Sequence, residues 1–377
     1  MAGIYLHIPF CRQACHYCDF HFSTTLKTVD RMVDALCADM MLQASDWSDT
    51  SFQTVYFGGG TPSVLNPEQL GKVTATLRSH FAIDPGAEWC LEANPDDLTE
   101  AALASWKHQG IDRLSIGIQT FDPALLAAMN RSHSSEQALQ ALEVARKAGF
   151  DAFSADLIYA QPGQTEDILR QDIAALVAQR PQHISAYCLT VEPGTALHHQ
   201  VTGGQVTVPK DDVAEAHYRL LCNALAAAGY QHYEVSNWAL PGQHSRHNSA
   251  YWRGEAYVGI GPSAHGFKGK RRYWHVSSNA QYMQALEAGT LAIEEEHLTE
   301  RDVCNERIMT QLRTAQGLAL EWLKDLDFVD FESDILPLLQ KLEVQEWGTL
   351  TVTHFTLTEP ARFHADRIAS DLFILES

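Results

Sequence analysis

Tyr5-Leu-His-Ile-Pro-Phe-Cys11-Arg-Gln-Ala-Cys15-His-Tyr-Cys18 is the stretch on which the reading of this chain turns. Ile4–Ile8 is a short run rich in β-forming residues and predicts a strand. The cysteines follow it directly, at spacings of four and three residues, so one loop can wrap three thiolates around a metal centre. A four-iron cluster usually takes four cysteines, and three would leave one iron open to an outside ligand. Zinc is the plainer alternative, but it normally wants four ligands with a second cysteine pair further along. His16 could serve, although it is wedged inside the loop. A cluster with a purely structural role also stays open.

Outward from that loop, short β-rich runs alternate with helical stretches through roughly the first 200 residues. The strand candidates are Ile4–Ile8, Thr54–Phe57, Glu88–Glu92, Arg113–Gln119, Phe153–Tyr159 and His183–Thr190. Apolar residues at helical spacing lie between them, as in Val29–Leu42 and Gln137–Ala148, and Ala-Gly-Phe-Asp at 148–151 reads as a helix stop. Six such units imply a parallel α/β sheet with right-handed crossovers. A partial barrel and an open doubly wound sheet both fit, and either gathers function at the C-terminal ends of the strands. Gly58-Gly-Gly-Thr61, Glu92-Ala-Asn-Pro95, Gln119-Thr120 and Asp156 all fall there. The alternation then breaks. An aromatic and histidine-rich stretch runs from Tyr230 to Tyr273, and from about Leu298 three helical segments precede a hairpin-like alternation at 347–358 and a last helix near Glu359–Leu372. The expected division is 1–230, a connecting segment at 231–297, and 298–377, the last a mainly helical, winged-helix-like domain.

The chain has 377 residues and 45% apolar content, enough for one large domain and a smaller one. Acids outnumber bases 47 to 27, a formal charge of −20, which disfavours a phosphate-tracking nucleic-acid surface. The one basic knot, Lys268, Lys270, Arg271 and Arg272, reads as a solvated loop. No stretch reaches the length of a membrane span, and the first residues lack a secretory signal and leave no room for a transit peptide. The expected compartment is the cytoplasm. Of eight cysteines, the scattered five (37, 90, 188, 222 and 304) read as small buried apolar residues.

In this context the C-x₃-C-x₂-C loop resembles the signature of the radical S-adenosylmethionine (SAM) superfamily. The amino and carboxylate groups of SAM can chelate the open iron, and the chemistry then belongs to the cofactor. The resemblance extends further. Tyr5-Leu-His-Ile-Pro-Phe-Cys11, Gly58-Gly-Gly-Thr-Pro62, Leu91-Glu-Ala-Asn-Pro95, Ser115-Ile-Gly-Ile-Gln-Thr-Phe121 and Asp156-Leu-Ile-Tyr159 are similar to the HemN/HemW family. That family implies a radical SAM partial (β/α)6 barrel with a C-terminal winged-helix-like domain, and a [4Fe-4S] cluster on Cys11, Cys15 and Cys18. By the same resemblance Tyr5 and Tyr17 approach SAM near the cluster, Gly59, Gly60 and Thr61 meet its methionine end, and Glu92, Gln119, Arg131 and Asp156 are polar contacts. A surface cation at Arg131 and a helix cap or buried ion pair at Asp156 are the plainer readings.

Two departures separate the family's branches. The oxygen-independent coproporphyrinogen III oxidase type carries a fourth cysteine two residues after the third, where this chain has Phe20, and an extension before the first strand. His247-Asn-Ser-Ala-Tyr251-Trp252 instead matches the HNxxYW motif of the haem-chaperone branch. Imidazole is a natural axial ligand for haem iron, and Tyr251 and Trp252 offer flat faces to a porphyrin. His247 could equally be a hydrogen-bonded structural residue. His265, in Gly259-Ile-Gly-Pro-Ser-Ala-His265, could lie near the cofactor or be a core histidine. The resemblance therefore implies a haem chaperone that binds haem and passes it to acceptor haemoproteins, with an electron donor for the cluster. The alternative is a radical SAM enzyme of the coproporphyrinogen III dehydrogenase type. No catalytic residue is assigned, and a homodimer stays open.

Overall fold

The computed structural model describes residues 2–375. Six parallel strands follow one another in space as they do in sequence: β1 (Ala2–Ile8), β2 (Ser51–Gly59), β3 (Ala82–Ala93), β4 (Arg113–Gln119), β5 (Ala152–Tyr159) and β6 (His183–Cys188). Each alternates in period two. One face carries Ile4, Leu6, Val55, Phe57, Leu114, Ile116, Phe153 and Ala155, all buried in a single core with the crossover helices. The opposite face carries Tyr5, His7, Tyr56, Glu92, Ser115 and Asp156, which touch one another across the barrel interior. The apolar face fixes register, because a one-residue slip would turn every carboxyl into the helix layer.

Local signals start and stop the helices. Asn66 with Gln69, and Ser134 with Gln137, form reciprocal capping boxes before the helices at Pro67–His80 and Ser135–Lys147. The latter ends at Gly149, whose φ of +78° is the left-handed turn predicted at 148–151.

Residues 231–297, a connector in the sequence reading, add strands at both edges of this sheet. β7 (Gln231–Glu234) and β8 (Asn237–Ala239) lie antiparallel beyond β6. β9 (Ala256–Ile260) pairs parallel to the free side of β1, followed by β10 (His265–Lys268), β11 (Arg271–His275) and β12 (Ile293–His297), all antiparallel. The order is β12-β11-β10-β9-β1-β2-β3-β4-β5-β6-β8-β7, so the barrel stays open between β12 and β7. The basic knot is corrected here. Lys268, Arg271 and Arg272 lie on the β10–β11 hairpin rather than in a solvated loop: Lys268 meets the Asp46 carbonyl and the Trp47 ring, Arg271 bonds Glu295 at 2.7 Å, and Arg272 bonds Glu296 at 3.1 Å and Glu306 at 2.6 Å. Lys270 pairs with Glu300.

From Glu300 onward a second core forms around Ile308, Leu312, Leu339, Phe355 and Ile368. It holds a three-stranded antiparallel sheet of β13 (Leu318–Ala319), β14 (Gly348–Leu350) and β15 (His354–Leu357) among helices. Among the described residues, no helix is long and apolar enough to cross a membrane.

The helix Val29–Gln43 docks on β9 through a buried carboxylate. Asp39 accepts from the Tyr282 hydroxyl at 2.6 Å, the Gly261 amide at 3.1 Å and the Gln43 amide at 2.8 Å. Truncation would leave three buried donors unpaired. Asp39→Ala is expected to cost about 3 kcal/mol or more in urea unfolding, against about 1 kcal/mol for Tyr282→Phe. Equal small losses in both variants would contradict this picture.

Candidate functional site

The cysteine loop leaves the C-terminal end of β1 with little regular structure of its own, and neighbouring backbone holds it. The Gly60 amide donates to the Ile8 carbonyl at 2.9 Å, the Thr61 amide to Phe10 at 2.7 Å, and the Cys11 amide to Ser23 at 3.1 Å. From the far side, Gln13 donates to the Asn130 carbonyl at 2.8 Å and Asn130 returns a bond to the Ala14 carbonyl at 2.7 Å. His16 donates its amide to Met129 and directs Nδ1 at the Ala128 carbonyl, 2.9 Å away, so its ring serves the loop and not a metal through that nitrogen.

The sulfurs receive donors directly. Thr61 Oγ1 lies 3.3 Å from Cys11 Sγ, and Arg131 Nη1 lies 3.3 Å from Cys15 Sγ. Burial pushes the Cys11 and Cys18 thiols up, the latter to about 12, while Thr61 and Arg131 pull Cys11 down. Cys15 acts on both Cys11 and Cys18, so the three thiols gather on one loop. Three thiolates on one loop can each bind a different iron of a four-iron cluster and leave the fourth iron open.

Below the loop, Tyr5 stacks on Tyr56 at 6.2 Å, and the Tyr56 hydroxyl donates to Glu92 at 2.7 Å. Burial, with Asp156 adding to it, lifts the Glu92 carboxyl to about 7, against the pull of Tyr56 and the Gly59 amide. Asp156 accepts from Ser115 at 3.0 Å and Ser154 at 3.1 Å, and burial raises it too. Gln119 closes β4 at a φ of +69°. Tyr17 lies beside Arg131, which lowers a phenol that burial otherwise raises.

The structure thus brings Tyr17, Gly59, Gly60, Thr61, Glu92, Gln119 and Arg131 to the end of the barrel that carries the cysteines, with Tyr5 and Asp156 on the same lining in the middle of β1 and β5. Three details differ from expectation. Arg131 is no surface cation: its Nη2 donates to Asn94 and to the Gly117 carbonyl, both at 2.8 Å, so it braces the loop. The room beside Gly59 (φ +104°) is taken by the His7 ring, 2.7 Å from where a Cβ would stand. At Gly60 a Cβ would stand 2.7 Å from the Phe10 carbonyl oxygen and 2.9 Å from that of Ile8. His7 and Tyr56 were missed in the sequence, although both hold inward positions by the period of two.

His247 sits at the opposite end. It stacks on Tyr56 at 4.9 Å, and its Nδ1 bonds Thr54 at 2.8 Å. Thr54 is the register partner of Gly3, and a Cβ on Gly3 would come within 3.3 Å of the ring. Five residues of β1, about 16 Å, separate that level from Ile8. Tyr251 is half exposed and packs edge-on against Trp252, over whose ring Arg313 lies at 5.1 Å. His265 is exposed on β10, with Trp274 6.0 Å away, so it is not a core histidine.

The radical SAM superfamily matches residues 5–176. Relatives that share most of the chain include heme chaperone HemW of Mycobacterium tuberculosis, 40% identical over 84% of this chain and 83% of its own. HemW of Bacillus subtilis is 33% identical over 85% of each chain, and that of Synechocystis 32% over 98% and 95%. Coproporphyrinogen III oxidase HemN of Escherichia coli, titled a radical SAM enzyme, matches with a TM-score of 0.85 over 99% of this chain and 90% of its own; at 23% identity this shows the fold. Open barrel, cysteine loop and these matches define a radical SAM protein, a class that implies a [4Fe-4S] cluster and SAM. Within it, the chain belongs to the HemW heme chaperone family.

The steric contact at Gly60 gives a direct check on the loop. Gly60→Ala should displace Ile8–Phe10, lower iron and sulfide content after anaerobic reconstitution, and increase amide exchange across residues 8–18 while far-UV CD stays near native. Full cluster content in that variant would contradict the packing described.

Proposed function

We propose that this chain binds haem and hands it to acceptor haemoproteins, holding a [4Fe-4S] cluster on Cys11, Cys15 and Cys18 and SAM beside it. The observation that carries the reading is similarity to heme chaperones over 84% or more of the chain, taking in the His247–Trp252 segment. When bound, the cluster supplies an electron to the sulfonium of SAM. Arg131 and Thr61 favour thiolates at Cys15 and Cys11, and the strand-end groups from Tyr5 to Asp156 receive SAM. The remaining partner is an electron donor for the cluster.

For haem, His247 is the proposed axial ligand. Burial pushes its imidazole down to about 4, so it stays neutral near pH 7. Thr54 holds Nδ1, which leaves Nε2 to bind iron, as an oriented metal-binding histidine does. Tyr251 and Trp252 are proposed to meet the macrocycle, with His265 the next candidate ligand.

Phe20 is 66% exposed beside the cysteine loop, where the oxidase type carries a fourth cysteine. Multiple-turnover assays with coproporphyrinogen III should accordingly yield no protoporphyrinogen, since productive placement of the propionate governs that step. Sustained product formation would restore the oxidase.

SAM binding should follow the ionisation of Glu92. A carboxyl that titrates near 7 is anionic above that pH, so affinity for cationic SAM should rise between about pH 6 and 8. Glu92→Gln should flatten the dependence and weaken binding about 10-fold at the upper end. An unchanged pH profile by equilibrium dialysis would remove Glu92 from the site.

Haem titration tests the ligand assignment. The wild-type chain should saturate near one haem. His247→Ala should weaken binding at least 10-fold and change the Soret band; Tyr251→Ala and Trp252→Ala should weaken it less, and His198→Ala with His199→Ala hardly at all. Unchanged spectrum and affinity in His247→Ala would make the motif structural and move the search to His265.

A further inference from the structure

Far from the cysteine loop, three side chains from distant parts of the chain converge where the barrel meets the C-terminal core. Cys222 lies on the helix Asp211–Ala227, His232 on β7, and Glu359 opens the helix Glu359–Arg362. Cys222 Sγ is 3.9 Å from His232 Nδ1, which is 3.6 Å from Glu359 Oε1, and all three ligand atoms fall within 4.8 Å of one another. We propose that Cys222, His232 and Glu359 bind one zinc ion that clamps the C-terminal helices to the barrel.

The distances fit that ion. Tetrahedral zinc with ordinary bonds to sulfur, nitrogen and oxygen holds its ligand atoms about 3.4–3.6 Å apart, so the two gaps at His232 need close by only a few tenths of an ångström. A mixed S, N, O donor set with tetrahedral spacing suits zinc, and thiolate plus carboxylate offset its two charges.

The imidazole is already set for the metal. Its Nε2 faces the Val235 carbonyl oxygen at 3.2 Å, which requires the hydrogen there and leaves Nδ1 with a lone pair. Stacking on Trp238, at 4.2 Å and 9°, fixes the ring plane. Nδ1 then confronts the Glu359 oxygen, two acceptors with no hydrogen between them. A proton would resolve this by making an imidazolium, a charge that the almost wholly buried His232 side chain would hold out of water. A metal ion resolves it without that cost and takes up the Cys222 sulfur as well. Arg362 Nη1 donates to the His232 carbonyl at 3.2 Å and so ties the helix of Glu359 to β7.

A fourth group points to a ligand. Tyr218, one helical turn before Cys222, is 1% exposed, and its hydroxyl meets the Cys222 sulfur but no oxygen or nitrogen partner. Both the Cys222 thiol and the Glu359 carboxylate act on it. A water completing the zinc coordination would supply the partner, as the open position of a three-ligand site allows.

The test uses the full chain with Cys11, Cys15 and Cys18 changed to Ala, so that no cluster thiol competes, and cobalt(II) as the probe under anaerobic conditions. One cobalt per chain should bind, with a thiolate-to-cobalt charge-transfer band and intense tetrahedral ligand-field bands, and zinc should displace it. Cys222→Ser should abolish the charge-transfer band, and Glu359→Gln should weaken binding at least tenfold; Cys304→Ser should change neither. Glu359 is exposed, so its variant decides the matter should Cys222→Ser fail to fold. No thiolate band, or cobalt affinity unchanged in Glu359→Gln, would overturn the site and leave a histidine–glutamate ion pair. Elemental analysis of the cluster-loaded wild-type chain should likewise show one zinc beside the iron, and its absence after zinc-supplemented growth would count equally against the proposal.

Discussion

Everything at the cofactor end depends on holding three thiols in place on a loop that has almost no hydrogen-bonded structure of its own. The restraint comes from outside the loop. Gly60 presses its backbone against Ile8 and Phe10 where no side chain would fit, and Asn130 and Arg131 grip the residues around Cys15. These clamps sit on the ends of β2 and on the segment after β4, so loop geometry is inherited from the sheet register. A protein built this way can place a cluster before the cluster arrives, which limits the conformational entropy lost on binding.

The sheet makes that possible by separating its two faces. Apolar side chains on the outer face carry the stability, which frees the inner face to hold groups that are costly to bury. They are tolerated because they satisfy one another: Ser115 and Ser154 serve Asp156, and Tyr56 serves Glu92. Tyr56 also stacks on His247, so one residue touches both the SAM end and the segment proposed for haem. The two sites therefore lie at opposite ends of one polar lining.

Much of this was legible in the sequence. Arg113–Gln119 is a strand with the bounds that period two gives it, because Leu114, Ile116 and Ile118 must all reach the core. The cysteine loop was legible because thiol spacing is local. What stayed hidden was non-local. Nothing in Ala256–Ile260 says that it pairs with β1 from some 250 residues away, or that Asp39 waits there for the Gly261 amide. The His-Asn-x-x-Tyr-Trp hexapeptide names its residues but not the end of the barrel they occupy. Cys222 reads as a small buried residue until folding brings His232 and Glu359 to it. His7 was overlooked because its partner is the His21 carbonyl, beyond the cysteines.

The central claim is that this chain carries haem for delivery. The most direct measurement is transfer: load the reconstituted chain with one haem, add an apo-haemoprotein acceptor together with an excess of a protein that scavenges free haem, and follow the acceptor's spectrum. Directed delivery predicts that the acceptor fills at a rate that rises with acceptor concentration and is not suppressed by the scavenger. Filling that stops when the scavenger is present would mean that haem merely dissociates, and would contradict the account.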